Sequence, residues 1–198
     1  MHEIMLFCED YAHEAVLTPL IQRLASAASI DVRIVPRSVR GGYGKALAEL
    51  TGLCKEIERS PQRAPHGLVV ATDANCVGLN ERQRLVAEHV PIPRRASLAM
   101  AIADPHIERW LLLDSHAFKS VLGTGCPAPD AKCERGRYKR LLREAVRTSG
   151  VIPLIGGVEY AEDIVRAMDI DRIRLADTSF GKAVDAITDL FRRMKNAE

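Results

Sequence analysis

Residues 67–78, "GLVVATDANCVG", decide the fold of this chain. Their apolar half, Leu68 to Ala71, is typical of a strand that is buried on both faces of a sheet. Asp73 and Asn75 follow directly, and Gly78 favours a turn out of the strand. A carboxylate and a carboxamide at the carboxyl end of a buried strand indicate a ligand site, because open parallel sheets bind their ligands at that edge.

Strand patterns alternate with helical patterns on both sides of this stretch. The predicted strands are residues 4–10, 31–36, 67–73 and 96–104. The predicted helices are residues 11–28, 45–60, 79–90 and 105–123, with Asn80 as the cap of the third. We therefore predict an α/β fold with a mainly parallel central sheet of about four strands, flanked by helices.

The pattern changes after Gly125. A loop rich in proline is followed by three helical segments, at residues 137–150, 159–168 and 179–196. We predict two parts: an α/β core over residues 1–125, and a helical C-terminal part over residues 126–198 that packs on the core.

The composition is that of an ordinary globular protein, with 47% apolar and 27% charged residues. No apolar run approaches the roughly 20 residues of a membrane span, so we expect no membrane partner. The start, "MHEIMLFCED", carries Glu3 and Glu9 and lacks the basic region of a secretory signal. Five cysteines at irregular positions do not suggest a disulfide framework. We predict a reduced, cytoplasmic protein.

The net charge of +2 hides an uneven distribution. From Arg33 to Lys45 there are four basic residues and no acidic one. Residues 132–147 hold seven basic residues against Glu134 and Glu144, for a net charge of +5. A solvated helix face is one explanation of such a run. Two runs in one chain favour a polyanionic partner, for which we expect nucleic acid.

Three of the four predicted strands end in acidic side chains. They are Glu9 and Asp10 after the first strand, Asp73 after the third, and Asp104 after the fourth, with Glu108 one helical turn later. Carboxylates gathered at one edge repel each other unless a cation lies among them, and Mg²⁺ or Mn²⁺ prefers such oxygen ligands. The alternative is that each acid caps or opens a helix, which junctions between strands and helices favour in any case.

The arrangement resembles the TOPRIM (topoisomerase–primase) superfamily, in which an apolar strand ends in Glu and a later strand ends in D-x-D-x-x-G. Glu9 matches the first motif and "DANCVG" (73–78) the second, with Asn75 in place of the second Asp. The rest of the chain resembles small free-standing TOPRIM-like proteins related to the nuclease domain of OLD-type proteins. The matching stretches are "CEDYAHE" (8–14), "RGGYGKAL" (40–47), "DPHIERWLLLD" (104–114) and "DTSFGKAVDAI" (177–187).

The resemblance implies a metal-dependent phosphodiesterase or nuclease, in some relatives a defence protein against phage that acts beside an ATPase. It implies Glu9 and Asp73 as catalytic residues, and Mg²⁺ or Mn²⁺ held by Glu9, Asp73, Asn75 and Glu108. Phosphates would be held by basic residues of the two runs, namely Arg40, Lys45, Lys132, Arg137, Lys139 and Arg140. Because Asn75 carries no charge, the other hypothesis is a non-catalytic partner subunit that binds an ATPase or nucleic acid.

Two further patterns favour structural explanations. "RGGYGK" (40–45) lacks the spacing of a phosphate-binding loop, so its glycines more simply turn the chain into a helix. Cys126 and Cys133 lie near His116 in sequence, but six residues separate the two cysteines and no second pair exists, so zinc is not expected.

Overall fold

The computed structural model describes residues 1–39 and 41–196. Within them four strands form one sheet: β1 (His2–Cys8), β2 (Val32–Ser38), β3 (Gly67–Asp73) and β4 (Leu98–Ala103). The order across the sheet is β2–β1–β3–β4, and each neighbouring pair is parallel. The predicted α/β class with a parallel central sheet is therefore confirmed.

Helices follow the strands and continue to the C-terminus of the described chain. They are α1 (Tyr11–Ala27), α2 (Tyr43–Arg59), α3 (Leu79–Glu88), α4 (Glu108–Leu111), α5 (Ser115–Leu122), α6 (Arg137–Thr148), α7 (Ala161–Ala167), α8 (Ile170–Ala176) and α9 (Thr178–Lys195). The helical C-terminal region is thus also confirmed.

The strands are buried on both faces, which explains the unbroken apolar run of β3. Val69 points into a core shared with α1, α5, α7 and α9, whereas Val70 points into a second core with α2 and α3. Successive side chains of a strand alternate between faces, so a strand covered on both sides needs apolar residues at every position.

The C-terminal helices close the first face of the sheet. Helix α9 packs along β4, and α7 packs on α1 and α5, so these helices share one core with β1, β3 and β4. Gly181 lets α9 approach the end of α8 closely, since a Cβ there would lie 2.5 Å from the carbonyl oxygen of Arg174. The predicted division into a core over residues 1–125 and a C-terminal part over residues 126–198 stays a prediction.

Two local predictions were wrong. The single helix predicted over residues 105–123 is split into α4 and α5, because the Asp114 carboxylate accepts hydrogen bonds from the backbone N–H groups of His116 and Ala117 and starts a new helix. Asn80 does not cap α3; Gly78 precedes that helix, and the first N–H group, of Leu79, donates to the Asp104 carboxylate at 3.2 Å.

The cysteines also depart from expectation. Cys76 and Cys133 form a disulfide, with their Cα atoms 5.5 Å apart, whereas Cys8, Cys54 and Cys126 are buried free thiols. Cys76 and Cys133 are 57 positions apart, and no sequence pattern pairs them. The fold brings them together because one follows β3 and the other lies in the loop before α6. This disulfide also removes Cys133 from any zinc site.

In the described part of the chain, no helix combines the length and the apolar character needed to span a membrane.

Candidate functional site

The strand order brings the ends of β1 and β3 side by side. Cys8 pairs with Ala71, and the N–H group of Glu9 donates to the Ala71 carbonyl at 3.0 Å. Oε2 of Glu9 then accepts hydrogen bonds from the Thr72 hydroxyl and, at 3.2 Å, from the backbone N–H of Asp73. The two predicted catalytic residues are therefore neighbours, but Glu9 contacts the backbone of Asp73 and Asp73 turns its carboxylate elsewhere.

The Asp73 carboxylate lies among three nitrogen groups. Oδ1 accepts a hydrogen bond from the backbone N–H of Ile107 at 2.8 Å, and Oδ2 lies 3.0 Å from Nδ1 of His106. Nε2 of His13 lies 3.1 Å from Oδ1, an ion-pair contact without the alignment of a good hydrogen bond. Both oxygens of Asp73 therefore already have partners.

His13 connects two carboxylates in the interior. It lies in the first turn of α1 with no exposed surface, and its Nδ1 is 2.7 Å from Oδ1 of Asp10. Asp10 is the N-cap of α1, as the helix-capping alternative expected. Burial alone would lower the pKa of His13, but the charge of Asp73 and the hydrogen bond to Asp10 outweigh it and raise the pKa to about 10. His13 is thus a buried imidazolium at neutral pH.

The histidines in turn lower the pKa of Asp73. Burial would raise the pKa of Asp73, but the charge of His13 and the hydrogen bond from His106 lower it below the ordinary value. The hydrogen bond to Asp73 raises the pKa of His106 against the effect of burial. Nε2 of His106 is buried and has no hydrogen-bond partner among the described residues. Asp73 is therefore an ionised carboxylate that orients two imidazoles.

Glu108 and Lys139 form the second half of the site. Glu108 begins α4 and is 2% exposed; its Oε1 lies 3.6 Å from the Lys139 ammonium, which is also 4.0 Å from Oδ2 of Asp10. Burial and the charge of Asp73 raise the pKa of Glu108, and they outweigh the lysine, which acts to lower it. The charge of Glu108 raises the pKa of Lys139, with smaller contributions from Asp10 and Asp73. Oε2 of Glu108 has no hydrogen-bond partner within the described residues.

The two residues after Glu108 fix α4 against the start of α9. Arg109 forms an ion pair with Asp177, and the indole N–H of Trp110 donates to the Ser179 hydroxyl at 2.9 Å. These contacts join α4 to the start of α9. Trp110 has no exposed surface and belongs to the core.

A pocket opens beside this group. Its volume is about 220 Å³, and Asp10, Glu108 and Lys139 line it together with Tyr11 and Ile155. The two carboxylates and the ammonium supply charge to the pocket, while Tyr11 and Ile155 supply apolar walls. Lys139 therefore supplies the positive charge of the pocket, against two carboxyl groups.

The predicted metal ligands do not form an open metal site in this arrangement. Among residues 1–39 and 41–196, no group of three or more His, Cys, Asp or Glu side chains could hold a metal ion. The partners of Asp73 are two imidazoles and a backbone N–H, and Glu108 faces an ammonium. Asn75 points its amide nitrogen at the Asp73 carbonyl, 3.5 Å away. The donors as arranged do not fit Mg²⁺ or Mn²⁺, and binding of either ion stays a prediction.

The predicted phosphate-binding residues separate into distinct environments. Arg137 pairs with Asp130 and Glu134, and Arg140 pairs with Glu134, so these two charges are compensated. Lys45 lies 3.8 Å from Glu49 on the surface of α2. Lys132 is exposed and its side chain has no ion pair in the described parts of the chain, whereas Arg40 lies outside the described residues.

Sequence reasoning missed His13 and His106. A histidine three residues after a capping aspartate was the available signal for His13, but its contact with Asp73 depends on the pairing of β1 with β3. His106 sits in the turn after β4, and the pairing of β3 with β4 places it beside Asp73. No protein-family model, curated protein or solved structure matches this chain.

Proposed function

We propose that this chain is a hydrolase that cleaves phosphodiester bonds in nucleic acid, with its site at the carboxyl edge of β1 and β3. The observation that carries the proposal is that Glu9 contacts the backbone of Asp73, whose charge acts on Glu108 and on the Lys139 ammonium at the pocket. Phosphodiester hydrolysis needs groups that transfer protons and a cation that stabilises the charge of the phosphate.

The proposed role of each residue follows from which of its side-chain atoms can still bind substrate or water. Lys139 is 63% exposed at its side chain, so its ammonium can bind a phosphate oxygen at the pocket. Oε2 of Glu9 is held by two hydrogen bonds, and Oε1 has none among the described residues, which leaves Oε1 for proton transfer to or from water. Asp73 fixes the imidazole of His106, as a carboxylate orients the histidine of a catalytic triad.

The resemblance also favours an ATPase as a protein partner. The proposal of a cytoplasmic location rests instead on the number and irregular spacing of the cysteines. In a reducing compartment the Cys76–Cys133 disulfide would be open to reduction, because both cysteines are exposed.

A second candidate function is a partner subunit without catalysis. The occupied oxygens of Asp73 and the uncharged Asn75 favour it. So does an apolar loop at the rim of the pocket: Ile152, Leu154 and Ile155 are 80%, 85% and 56% exposed. The Glu159 carboxylate accepts hydrogen bonds from backbone N–H groups of this loop and holds it in shape. Clustered exposed apolar residues mark protein contacts.

A cleavage panel separates the two functions. End-labelled single-stranded DNA, duplex DNA and RNA would each be incubated with the parent protein in Mg²⁺, in Mn²⁺ and in EDTA. The hydrolase proposal expects cleavage of at least one substrate. If all nine combinations of substrate and buffer show no product, the hydrolase proposal fails and the partner-subunit function is favoured.

A further inference from the structure

Helix α6 carries a line of three basic residues that begins in the pocket. Lys139, Arg143 and Arg147 are four residues apart, so they follow one another along a single face of the helix. All three are exposed. The rise of a helix separates successive members by about 6 Å, a distance close to that between neighbouring phosphates of an extended nucleic-acid strand.

The second and third members of this line carry uncompensated charge. The side chains of Arg143 and Arg147 form no hydrogen bond and no ion pair within residues 1–39 and 41–196. Both line an open cavity of about 460 Å³. By contrast, the guanidinium groups of Arg137 and Arg140 on the same helix are held by Asp130 and Glu134. Among the arginines of α6, the charge available to an external anion is therefore concentrated on Arg143 and Arg147.

We propose that Lys139, Arg143 and Arg147 form a track that binds consecutive phosphates of one nucleic-acid strand leading away from the pocket. The inference rests on the proposed function and names the substrate as single-stranded. One line of cations matches one sugar–phosphate backbone, and the pocket at its start, about 220 Å³ in volume, is too small for a base pair. Binding is sequence-independent, since phosphates carry no sequence information.

Substitution of Glu144 should change the affinity for nucleic acid in the opposite direction to substitution of the two arginines. It lines the same cavity as Arg143 and Arg147, and its side chain has no ion pair among the described residues. A carboxylate beside the track repels phosphates. Its removal therefore strengthens binding, while removal of the two arginines weakens it.

The test measures equilibrium binding of a fluorescent single-stranded oligonucleotide in EDTA, by anisotropy over a range of salt concentrations. Each phosphate contact on a single strand contributes about 0.7 to the slope of log K against log salt. Arg143→Gln with Arg147→Gln is expected to flatten the slope by about 1.4 and to weaken binding about tenfold at a salt concentration of about 50 mM. Glu144→Gln is expected to tighten binding.

The matched control is Arg84→Gln with Arg166→Gln. It removes the same net charge from arginines on α3 and α7 that pair with glutamates. The track is contradicted if this control flattens the slope as much as the α6 variant does, if Glu144→Gln weakens binding, or if duplex DNA binds more tightly than the single strand. A parent protein that cuts nucleic acid in the cleavage panel while the α6 variant keeps its full salt slope contradicts the track alone. A parent protein that binds no oligonucleotide contradicts the track and the proposed function together.

Discussion

At the scale of single residues, His13 is the most consequential side chain of the site. It is an imidazolium without exposed surface that separates the carboxylates of Asp10 and Asp73. A buried charge is tolerated only when it is paired, so each of the three groups depends on the other two. The positive charge that the sequence led us to expect from a metal ion is supplied here by imidazoles.

The first prediction concerns stability and pH. The folded protein keeps the His13 proton up to about pH 10, whereas the unfolded imidazole loses its proton near 6.5. The contribution of His13 is therefore complete below pH 6.5 and is lost as the pH rises toward 10. From about pH 6.5 to about pH 8.5 we expect the free energy of unfolding to fall by about 1.4 kcal/mol per pH unit for this proton, with His106 adding in the same direction.

Urea denaturation across that pH range measures this slope. His116→Gln is the matched control, because His116 is exposed and lies outside the network; it should leave the slope unchanged. A parent protein whose stability is independent of pH over this range would show that His13 is not charged in the fold.

The second prediction concerns Glu108. Its pKa is raised in the fold, so its contribution to stability is present at low pH and is lost as the pH rises through that pKa. Burial and the charge of Asp73 therefore disfavour the charged form of Glu108 in the fold. Glu108→Gln should therefore raise the free energy of unfolding by about 1 kcal/mol, since a neutral amide costs less to bury than a carboxylate. It should also lower cleavage by about tenfold, because Lys139 loses the carboxylate that holds it at the pocket.

Denaturation and cleavage would be measured on the same preparations, with Asp189→Asn as the control for a surface carboxylate on α9. A variant that is both less stable and fully active would contradict this prediction and would show that Glu108 stabilises α4 without contributing to cleavage.

At the scale of elements, the turn after β3 and the loop before α6 depend on each other. The disulfide joins Cys76, beside Asn75, to Cys133, six residues before Lys139. It therefore links the acidic strand end to the helix that carries the cations. Asn75 itself has a positive φ of 52°, a conformation that few residues other than glycine adopt, and its N–H donates to the Pro105 carbonyl at 3.0 Å.

The third prediction concerns this disulfide. A cross-link that closes a loop of this length restricts the unfolded chain, and the entropy model gives a stabilisation of about 4 kcal/mol. Addition of a reductant should therefore lower the free energy of unfolding of the parent protein, measured in urea. The double variant Cys76→Ser with Cys133→Ser provides the control, because its stability should not respond to the reductant. Equal stability of the parent protein with and without reductant would contradict a structural role for the cross-link.

At the scale of the whole molecule, local patterns predicted the elements, and the strand order determined the site. The unbroken apolar run of β3 and the stripes of α1, α2, α6 and α9 are local signals, so these elements lie within a few residues of their predicted positions. The split of α4 from α5 escaped prediction because the other Asp114 oxygen accepts from the Asp169 backbone, a contact between distant residues.

The candidate site could likewise be predicted from the sequence only in part. The resemblance selected Glu9, Asp73 and Glu108, and the fold does gather them at one edge of the sheet. The partners of these acids come from other elements: His13 from α1, His106 from the turn after β4, and Lys139 from α6. No pattern within one segment could reveal those pairings, since each depends on the order β2–β1–β3–β4 and on where α6 packs.

The most direct test of the central claim, that the carboxyl edge of β1 and β3 cleaves nucleic acid, is the cleavage rate of Glu9→Gln relative to the parent protein. The variant keeps the side-chain length but loses the proton-transfer group. Removal of a general acid or base costs about a hundredfold in rate or more. We expect a loss of that size in Glu9→Gln, an unchanged rate in Asp189→Asn, and normal folding of both by circular dichroism. A Glu9→Gln protein that folds and cleaves at the parent's rate would contradict the account.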